Sequence, residues 1–171
     1  MRIVGKGNNR AEFGSIAKFG SSINASVIKP LWDRFSVKMS GYNSFVMQNK
    51  GVFLADGSFD SAKLITSMGK LGATVIGDSI YEPTSNSVTL SWSPTPEGSY
   101  QLATDKAYIV IVDSAGVVLA TRSGLDLRSS AAITFTVAEN TKPAPVVHAY
   151  LAFAREDGSI VGDSTHKVIT A

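Results

Sequence analysis

Residues 87–94 read Ser-Val-Thr-Leu-Ser-Trp-Ser-Pro, a short run in which apolar and polar side chains alternate until a proline ends it. Alternation with a period of two predicts a β-strand that is buried on one face. Turn residues, chiefly Gly, Pro and Asp, separate this run from its neighbours. Similar runs cover residues 63–67, 74–81, 107–112, 117–121, 132–137, 146–154 and 166–170. Short strands at this spacing, without helices between them, predict an antiparallel β-sandwich.

The first fifty residues follow a helical period instead. Apolar positions recur at spacings of three and four, with Phe19 beside the stripe, and they are Phe13, Ile16, Gly20, Ile23 and Val27. Pro30 is expected to break this run and to begin a second helix, which bends at Gly41 and reaches Lys50. Glycine weakens an isolated helix, so the first helix is expected to need a partner surface.

Three aromatic residues give the β-rich part a more specific pattern. Trp92 ends one predicted strand, Tyr108 begins another, and Tyr150 lies within His-Ala-Tyr-Leu-Ala-Phe at residues 148–153. This trio resembles the fibronectin type III pattern, in which a Trp packs against two Tyr residues. The resemblance implies a fibronectin type III-like sandwich for this part. Together with the helical first part, the predicted fold class is α+β, in which an α-helical N-terminal segment precedes an antiparallel sandwich. We expect a basic helical segment at 1–50, a connecting segment with a short strand at 51–73, and the sandwich at 74–171.

A second resemblance covers most of the chain. It rests on five segments, which are residues 28–31 (Ile-Lys-Pro-Leu), 38–40 (Lys-Met-Ser), 43–46 (Asn-Ser-Phe-Val), 63–67 (Lys-Leu-Ile-Thr-Ser) and 104–107 (Thr-Asp-Lys-Ala). Their order resembles a family of unknown function that is frequent in Bacteroidetes-type genomes. The resemblance implies a helical first half and a β-sandwich, and it implies no activity.

Charge divides the chain at the same place. Residues 1–50 hold eight Lys and Arg against two acidic residues, whereas residues 51–171 hold eight against twelve. A basic segment beside an acidic module predicts contact with an anionic or acidic partner.

Residue types that carry chemistry do not form a motif. The chain has no cysteine, which excludes disulfides and thiolate sites, and its two histidines, His148 and His166, lack a further ligand at metal spacing. Glu156, Asp157 and Asp163 are expected to form a solvated turn rather than a calcium loop. No serine stands in a Gly-x-Ser-x-Gly motif. We therefore expect no enzyme, no cofactor, no metal and no small-molecule substrate.

Targeting signals are also missing from the pattern. The N-terminus has no apolar core of a signal peptide, and no window approaches the ~20 apolar residues that span a bilayer. We expect a protein that is not Sec-exported, is cytoplasmic or particle-associated, and has no membrane span.

These observations favour a non-enzymatic structural or interaction protein that is self-assembling or particle-associated, such as a bacteriophage virion component. It is expected to dock protein partners or copies of itself through its helical part. The expected docking residues are Phe13, Ile16, Phe19, Ile23, Trp32 and Phe35.

Two alternatives remain open. One is a nucleic-acid-associated protein whose anion contacts are Arg2, Lys6, Arg10 and Lys18. The other is a surface- or carbohydrate-binding sandwich with Trp92 or Tyr100 as a stacking platform.

Overall fold

The chain folds as a helical part followed by two antiparallel sheets, which confirms the predicted α+β class. A computed structural model describes residues 6–138 and 145–171, with side chains from residue 9 onward. The helical elements are α1 (Lys6–Ile23), a π-helical turn (Asn24–Ile28), α2 (Lys29–Trp32) and α3 (Gly41–Gln48). None of the helices in this part of the chain has the length and hydropathy needed to cross a membrane.

Seven strands among the described residues form the two sheets. They are β1 (Ile80–Glu82), β2 (Ser87–Ser91), β3 (Lys106–Val112), β4 (Val118–Leu127), β5 (Ala132–Thr136), β6 (Val146–Ala154) and β7 (Thr165–Thr170). One sheet has the order β1-β2-β5 and the other has the order β4-β3-β6-β7, with antiparallel pairing throughout. The prediction for residues 146–154 agrees with β6 at both ends. The predicted strand at 74–81 is reduced to β1 at its end.

The four-stranded sheet is buried on both faces, which makes the molecule three-layered. One face packs on the three-stranded sheet through alternating residues such as Ile109, Ile111 and Leu151. The other face packs on the helical part through the residues between them, such as Val110 and Tyr150. The central strands therefore carry nearly continuous apolar runs. The helical part is a layer of this fold, and whether the proposed segments fold independently stays a prediction.

Pro30 lies in the first turn of α2, as predicted, but the chain stays helical through the π-helical turn before it, and α2 ends at Trp32 instead of continuing to Lys50. A proline ring clashes with the carbonyl four residues before it and offers no N–H to it. The Lys29 N–H donates to the Asn24 carbonyl, five residues back, so the chain widens to a π-helical turn before the proline. The helix ends at Trp32, whose carbonyl accepts from the N–H groups of Phe35 and Ser36.

The connecting segment contains no strand at residues 63–67, so that prediction is also wrong. Buried side chains take the place of a strand partner. Asn49 accepts from the Ile65 N–H at 2.7 Å and donates to the Ile65 carbonyl at 2.9 Å. Trp32 Nε1 donates to the Thr66 carbonyl at 2.9 Å, and Ser164 Oγ accepts from the Thr66 N–H at 3.0 Å. The segment ties the helical layer to the sandwich.

Trp92 does not pack against Tyr108 and Tyr150, which corrects the predicted trio. Trp92 lies between the sheets, edge-on to Phe153, and its Nε1 donates to the Arg128 carbonyl at 2.8 Å. Tyr108 and Tyr150 face the helical layer from the opposite side of the sheet. Side chains alternate along a strand, and the parity of these two positions places them away from Trp92.

A buried ionic network closes one end of the sandwich. Asp105 is fully buried and accepts from the Leu102 N–H at 2.7 Å and from Arg155 Nε at 3.0 Å. Arg128 is 1% exposed, and its Nε lies 3.7 Å from Asp105 Oδ2. Its Nη1 donates to Thr74 Oγ1 at 2.7 Å, and its guanidinium carbon lies 4.1 Å from the centre of the Phe153 ring. Asp105 is therefore the counter-ion of a cation that water does not reach.

Candidate docking surface

The outer face of the helical layer exposes a group of large apolar side chains. They come from α1, from α3, from the loop between α2 and α3, and from residue 68 of the connecting segment. We call this group the Met47 surface, and its members are Phe13, Phe35, Val37, Met39, Met47 and Met68. Phe13 is 61% exposed and Met47 is 66% exposed. Adjacent exposed side chains of this size mark interaction sites, whereas single ones do not.

Two grooves meet at Met47. The first has a volume of about 540 Å³ and lies between α1 and α3, where Phe13, Ile16 and Val46 form its apolar lining. The second has a volume of about 430 Å³ and lies between α3 and the loop before it, where Phe35, Met39 and Met68 contribute. Methionine side chains are flexible and polarisable, so such a lining adapts to the shape of what it binds.

Local sequence fixes the helices that form the grooves. Ser40 caps α3, because its Oγ accepts from the Asn43 N–H at 3.2 Å. A side chain at Gly20 of α1 would place its Cβ 3.1 Å from the Tyr42 ring of α3, so glycine allows the close approach of the two helices. Tyr42 then donates from its hydroxyl to the Ala17 carbonyl at 2.7 Å.

The loop before α3 is held in place as well. Asp33 Oδ1 accepts from the Gly41 N–H at 2.9 Å, which joins the two ends of the loop. A Cβ at Gly41 would lie 2.4 Å from that same oxygen, so the position requires glycine. The apolar side chains of the loop are therefore presented from a tethered backbone.

Positive charges that form no ion pair with the described residues lie beside the Met47 surface. Arg10 and Lys50 line the first groove, together with Glu12. Lys38 is exposed in the loop before α3. The ion pairs among the described residues involve none of these three cations. The rim of the surface therefore attracts carboxylates.

Comparison with known proteins supports the expectation that the chain belongs to a family of unknown function. The model of a family described as "Family of unknown function (DUF6266)" matches residues 1–167. The chain belongs to this family. No curated protein matches it.

Two solved structures are similar to parts of this DUF6266 member. CopC from Methylosinus trichosporium OB3b is 17% identical over 57% of this chain and 91% of that chain, with a TM-score of 0.35. The pectate lyase Pel3 from Pectobacterium carotovorum is 16% identical over 61% of this chain and 26% of that chain, with a TM-score of 0.29. Likenesses at these TM-scores carry no argument about function.

Four of the six predicted docking residues are not on the surface of this DUF6266 member. Ile16, Phe19, Ile23 and Trp32 are buried in the core that the helical layer shares with the sheet. Phe19 and Ile23 therefore pack within this chain, whereas Ile16 and Trp32 also border the two grooves. Phe13 and Phe35 are exposed and lie on the Met47 surface.

The sequence prediction missed the three methionines of this surface. The helical period could have identified Met47. It directly follows the buried residues Phe45 and Val46 of α3, so its side chain lies outside the apolar stripe of that helix. Met39 falls within the second helix predicted from Pro30 to Lys50. The structure instead places Met39 in the loop between α2 and α3, where its side chain is exposed.

The residues of the two alternative functions fall in different places. Arg10 and Lys18 are exposed, while Arg2 and the side chain of Lys6 lie outside the described residues. Tyr100 is exposed, but Trp92 is only 4% exposed and offers no face to a carbohydrate. Trp92 is therefore corrected from a stacking platform to a core residue.

The two histidines of the sequence lie side by side on neighbouring strands of the four-stranded sheet. His148 on β6 and His166 on β7 have Nδ1 and Nε2 at 3.0 Å, which is a hydrogen bond between two imidazoles. Phe59 packs edge-on to His148, and the Tyr150 ring stacks on His166. Burial lowers the pKa of both imidazoles, and for His148 the charge of Asp113 opposes this shift.

The unfolding free energy is expected to fall on acidification because of this pair. Both folded-state pKa values lie below the usual value of about 6.5, so the unfolded chain binds protons first as the pH falls. The free energy of unfolding therefore keeps its full value above about pH 6.5 and falls as the pH drops below it. Urea unfolding at several pH values between neutral and mildly acidic measures the slope. A His148→Gln/His166→Gln variant removes every histidine, and an unchanged slope in this variant would contradict the assignment.

The acidic residues of the last turn do not assemble a metal site. Glu156 pairs with Lys106 at 3.3 Å. Asp157 accepts from the Ser159 N–H at 2.8 Å, and hydrogen bonds from the side chain and then the backbone of Ser159 lower the pKa of Asp157. Asp163 accepts from the Gly69 N–H at 3.0 Å. Among the described residues, no group of three His, Asp or Glu side chains is placed to hold a cation.

Proposed function

We propose that this protein is a non-enzymatic docking module that binds a protein segment on the Met47 surface. The observation that carries the proposal is that one face of the molecule combines apolar grooves with cations that form no ion pair with the described residues. The inner face of the same helices is used for folding, so the outer face is the part of this layer that is available to a partner.

The chemistry of the surface defines its occupant. Apolar anchors release water when they enter the grooves, and interfaces gain most of their affinity from a few such anchors. Arg10, Lys38 and Lys50 favour carboxylates beside those anchors and disfavour basic partners. The occupant is therefore a protein segment with apolar side chains flanked by Asp or Glu.

The arrangement of the strands in two sheets supports the same proposal. The division into three- and four-stranded sheets agrees with a fibronectin type III-like module, and such modules serve as adhesive units and spacers. A particle-associated or virion setting stays a prediction, since neither the fold nor the family bears on it. Nucleic-acid binding also stays a prediction, and apolar grooves favour a protein over a phosphate backbone.

Calorimetric titration tests the proposal. The probe is a short synthetic peptide in which leucines lie between glutamates, and its counterpart carries lysines in place of the glutamates. We expect saturable binding of the acidic peptide alone, weakened about tenfold or more by Met47→Asp, as for a central anchor. Lys50→Glu is expected to weaken binding through charge.

The matched control is Leu125→Asp, which places the same charge at an exposed leucine of β4 on the sandwich. It should leave the affinity unchanged. Equal affinity of the wild type for both peptides, or an unchanged affinity of Met47→Asp for the acidic peptide, would overturn the proposed function.

A further inference from the structure

We infer that the occupant of the Met47 surface is the β1 edge of a second copy of this chain, so that copies assemble head to tail. The inference rests on the proposed function and names its partner. The segment concerned is the edge of β1 with the residues before it, and we call it the acidic edge: Asp78, Ile80 and Glu82.

The acidic edge has the chemistry that the groove selects. Ile80 is 58% exposed although it is a large apolar residue in a strand, and Glu82 on the same face is also exposed. Asp78, two residues before Ile80, is exposed as well. Ion pairs among the described residues involve neither Asp78 nor Glu82. An apolar anchor thus stands between two carboxylates that form no ion pair with the described residues.

Leu125, another exposed apolar residue of the sandwich, lacks this arrangement. It is followed by Asp126, but Arg122 already holds that carboxylate with two hydrogen bonds, at 2.7 and 3.0 Å. The acidic edge is therefore a better complement of the groove than Leu125.

The topology directs this contact to another molecule. β1 belongs to the three-stranded sheet, and the four-stranded sheet lies between that sheet and the helical layer. The acidic edge and the Met47 surface thus belong to opposite outer layers of one chain and do not meet within it.

The charges also select the symmetry of the assembly. A two-fold dimer through the Met47 surface would bring the cations of both copies, Arg10 and Lys50 among them, into one interface, which like-charge repulsion disfavours. Pairing of the surface with the acidic edge brings opposite charges together. Such a heterologous contact leaves one free surface and one free edge, so assembly continues into rings or linear chains.

Sedimentation velocity of the full chain tests the inference. We expect the mean mass of the wild type to rise with concentration at low ionic strength and to fall in high salt, which screens the charges. An edge variant, Ile80→Ser/Glu82→Lys, and a groove variant, Met47→Asp, should each stay monomeric. All these positions are exposed, and circular dichroism confirms that the variants are folded.

Mixing the two variants is the deciding step. The edge variant keeps an intact groove and the groove variant keeps an intact edge, so an equimolar mixture should form a one-to-one dimer and stop there. An assembling wild type with a monomeric mixture, or an edge variant that still assembles, overturns the inference. A wild type that is monomeric throughout also overturns it, and the peptide titration then decides separately whether the proposed function stands.

Discussion

Asp105→Ala is expected to lower the free energy of unfolding by about 3–5 kcal/mol, the range for breaking a buried ion pair. The reason lies in Arg128, which is buried beneath Phe153 and keeps its charge when its counter-ion is removed. Arg155 also loses a partner, but its side chain is partly exposed and can turn to water. Chemical denaturation followed by circular dichroism measures the loss.

Two variants make this prediction specific. Glu156→Ala removes the partner of Lys106 in an exposed ion pair, and such pairs contribute about 0–1 kcal/mol. Adding Arg128→Leu to Asp105→Ala removes the stranded cation, so part of the lost stability should return. If Asp105→Ala lowers the free energy of unfolding no more than Glu156→Ala does, Asp105 is not the counter-ion that stabilises the buried charge of Arg128.

Phe45→Ala is expected to cost about 3–5 kcal/mol of unfolding free energy, as other deletions of buried aromatic side chains do. Phe45 on α3 is fully buried, stacks with Phe19 of α1 and meets Trp32 edge-on. Its removal leaves a cavity where three helical elements meet the sheet. Thermal and urea unfolding, followed by the far-ultraviolet circular dichroism of the strands, show whether the whole fold loses stability.

The matched variant is Phe13→Ala, which removes the same side chain from the exposed face of α1. It is expected to change stability by no more than about 0.5 kcal/mol, like other surface substitutions. A small effect of Phe45→Ala would contradict the three-layered core. A loss of stability confined to the helices, with an unchanged transition of the sheets, would contradict it too.

The strands were predictable because their patterning is local. Residues 146–154 alternate or run apolar between turns, and β6 occupies the whole segment. Residues 63–67 show a similar pattern, yet no strand forms there because Asn49, Trp32 and Ser164 satisfy its backbone groups. Those three partners lie elsewhere in the sequence, and a local pattern does not reveal them.

The helical stripe was predictable, but the surface that covers it was not. Spacing at three and four residues shows that Ile16, Phe19 and Ile23 share one face of a helix. It does not show whether a sheet of the same chain or another molecule covers that face. In the structure the four-stranded sheet covers that face. The residues of the sheet that face the helices, Val110 and Tyr150 among them, are also apolar.

The docking surface and the histidine pair required three-dimensional information for a related reason. Met39, Met47 and Met68 are separated along the chain and meet only because the loop and the connecting segment fold beside α3. His148 and His166 meet through the pairing of β6 with β7. Neither group has a fixed spacing that a sequence motif would record.

The NMR signals of the methionine methyl groups test most directly whether the Met47 surface binds an acidic, apolar protein segment. The sequence has four methionines, and three of them, Met39, Met47 and Met68, belong to this surface. In a protein labelled at its methionine methyl groups and titrated with the acidic leucine peptide, these three signals should shift together and saturate, with Met47 moving furthest. Three signals that stay in place at a saturating peptide concentration would contradict the account.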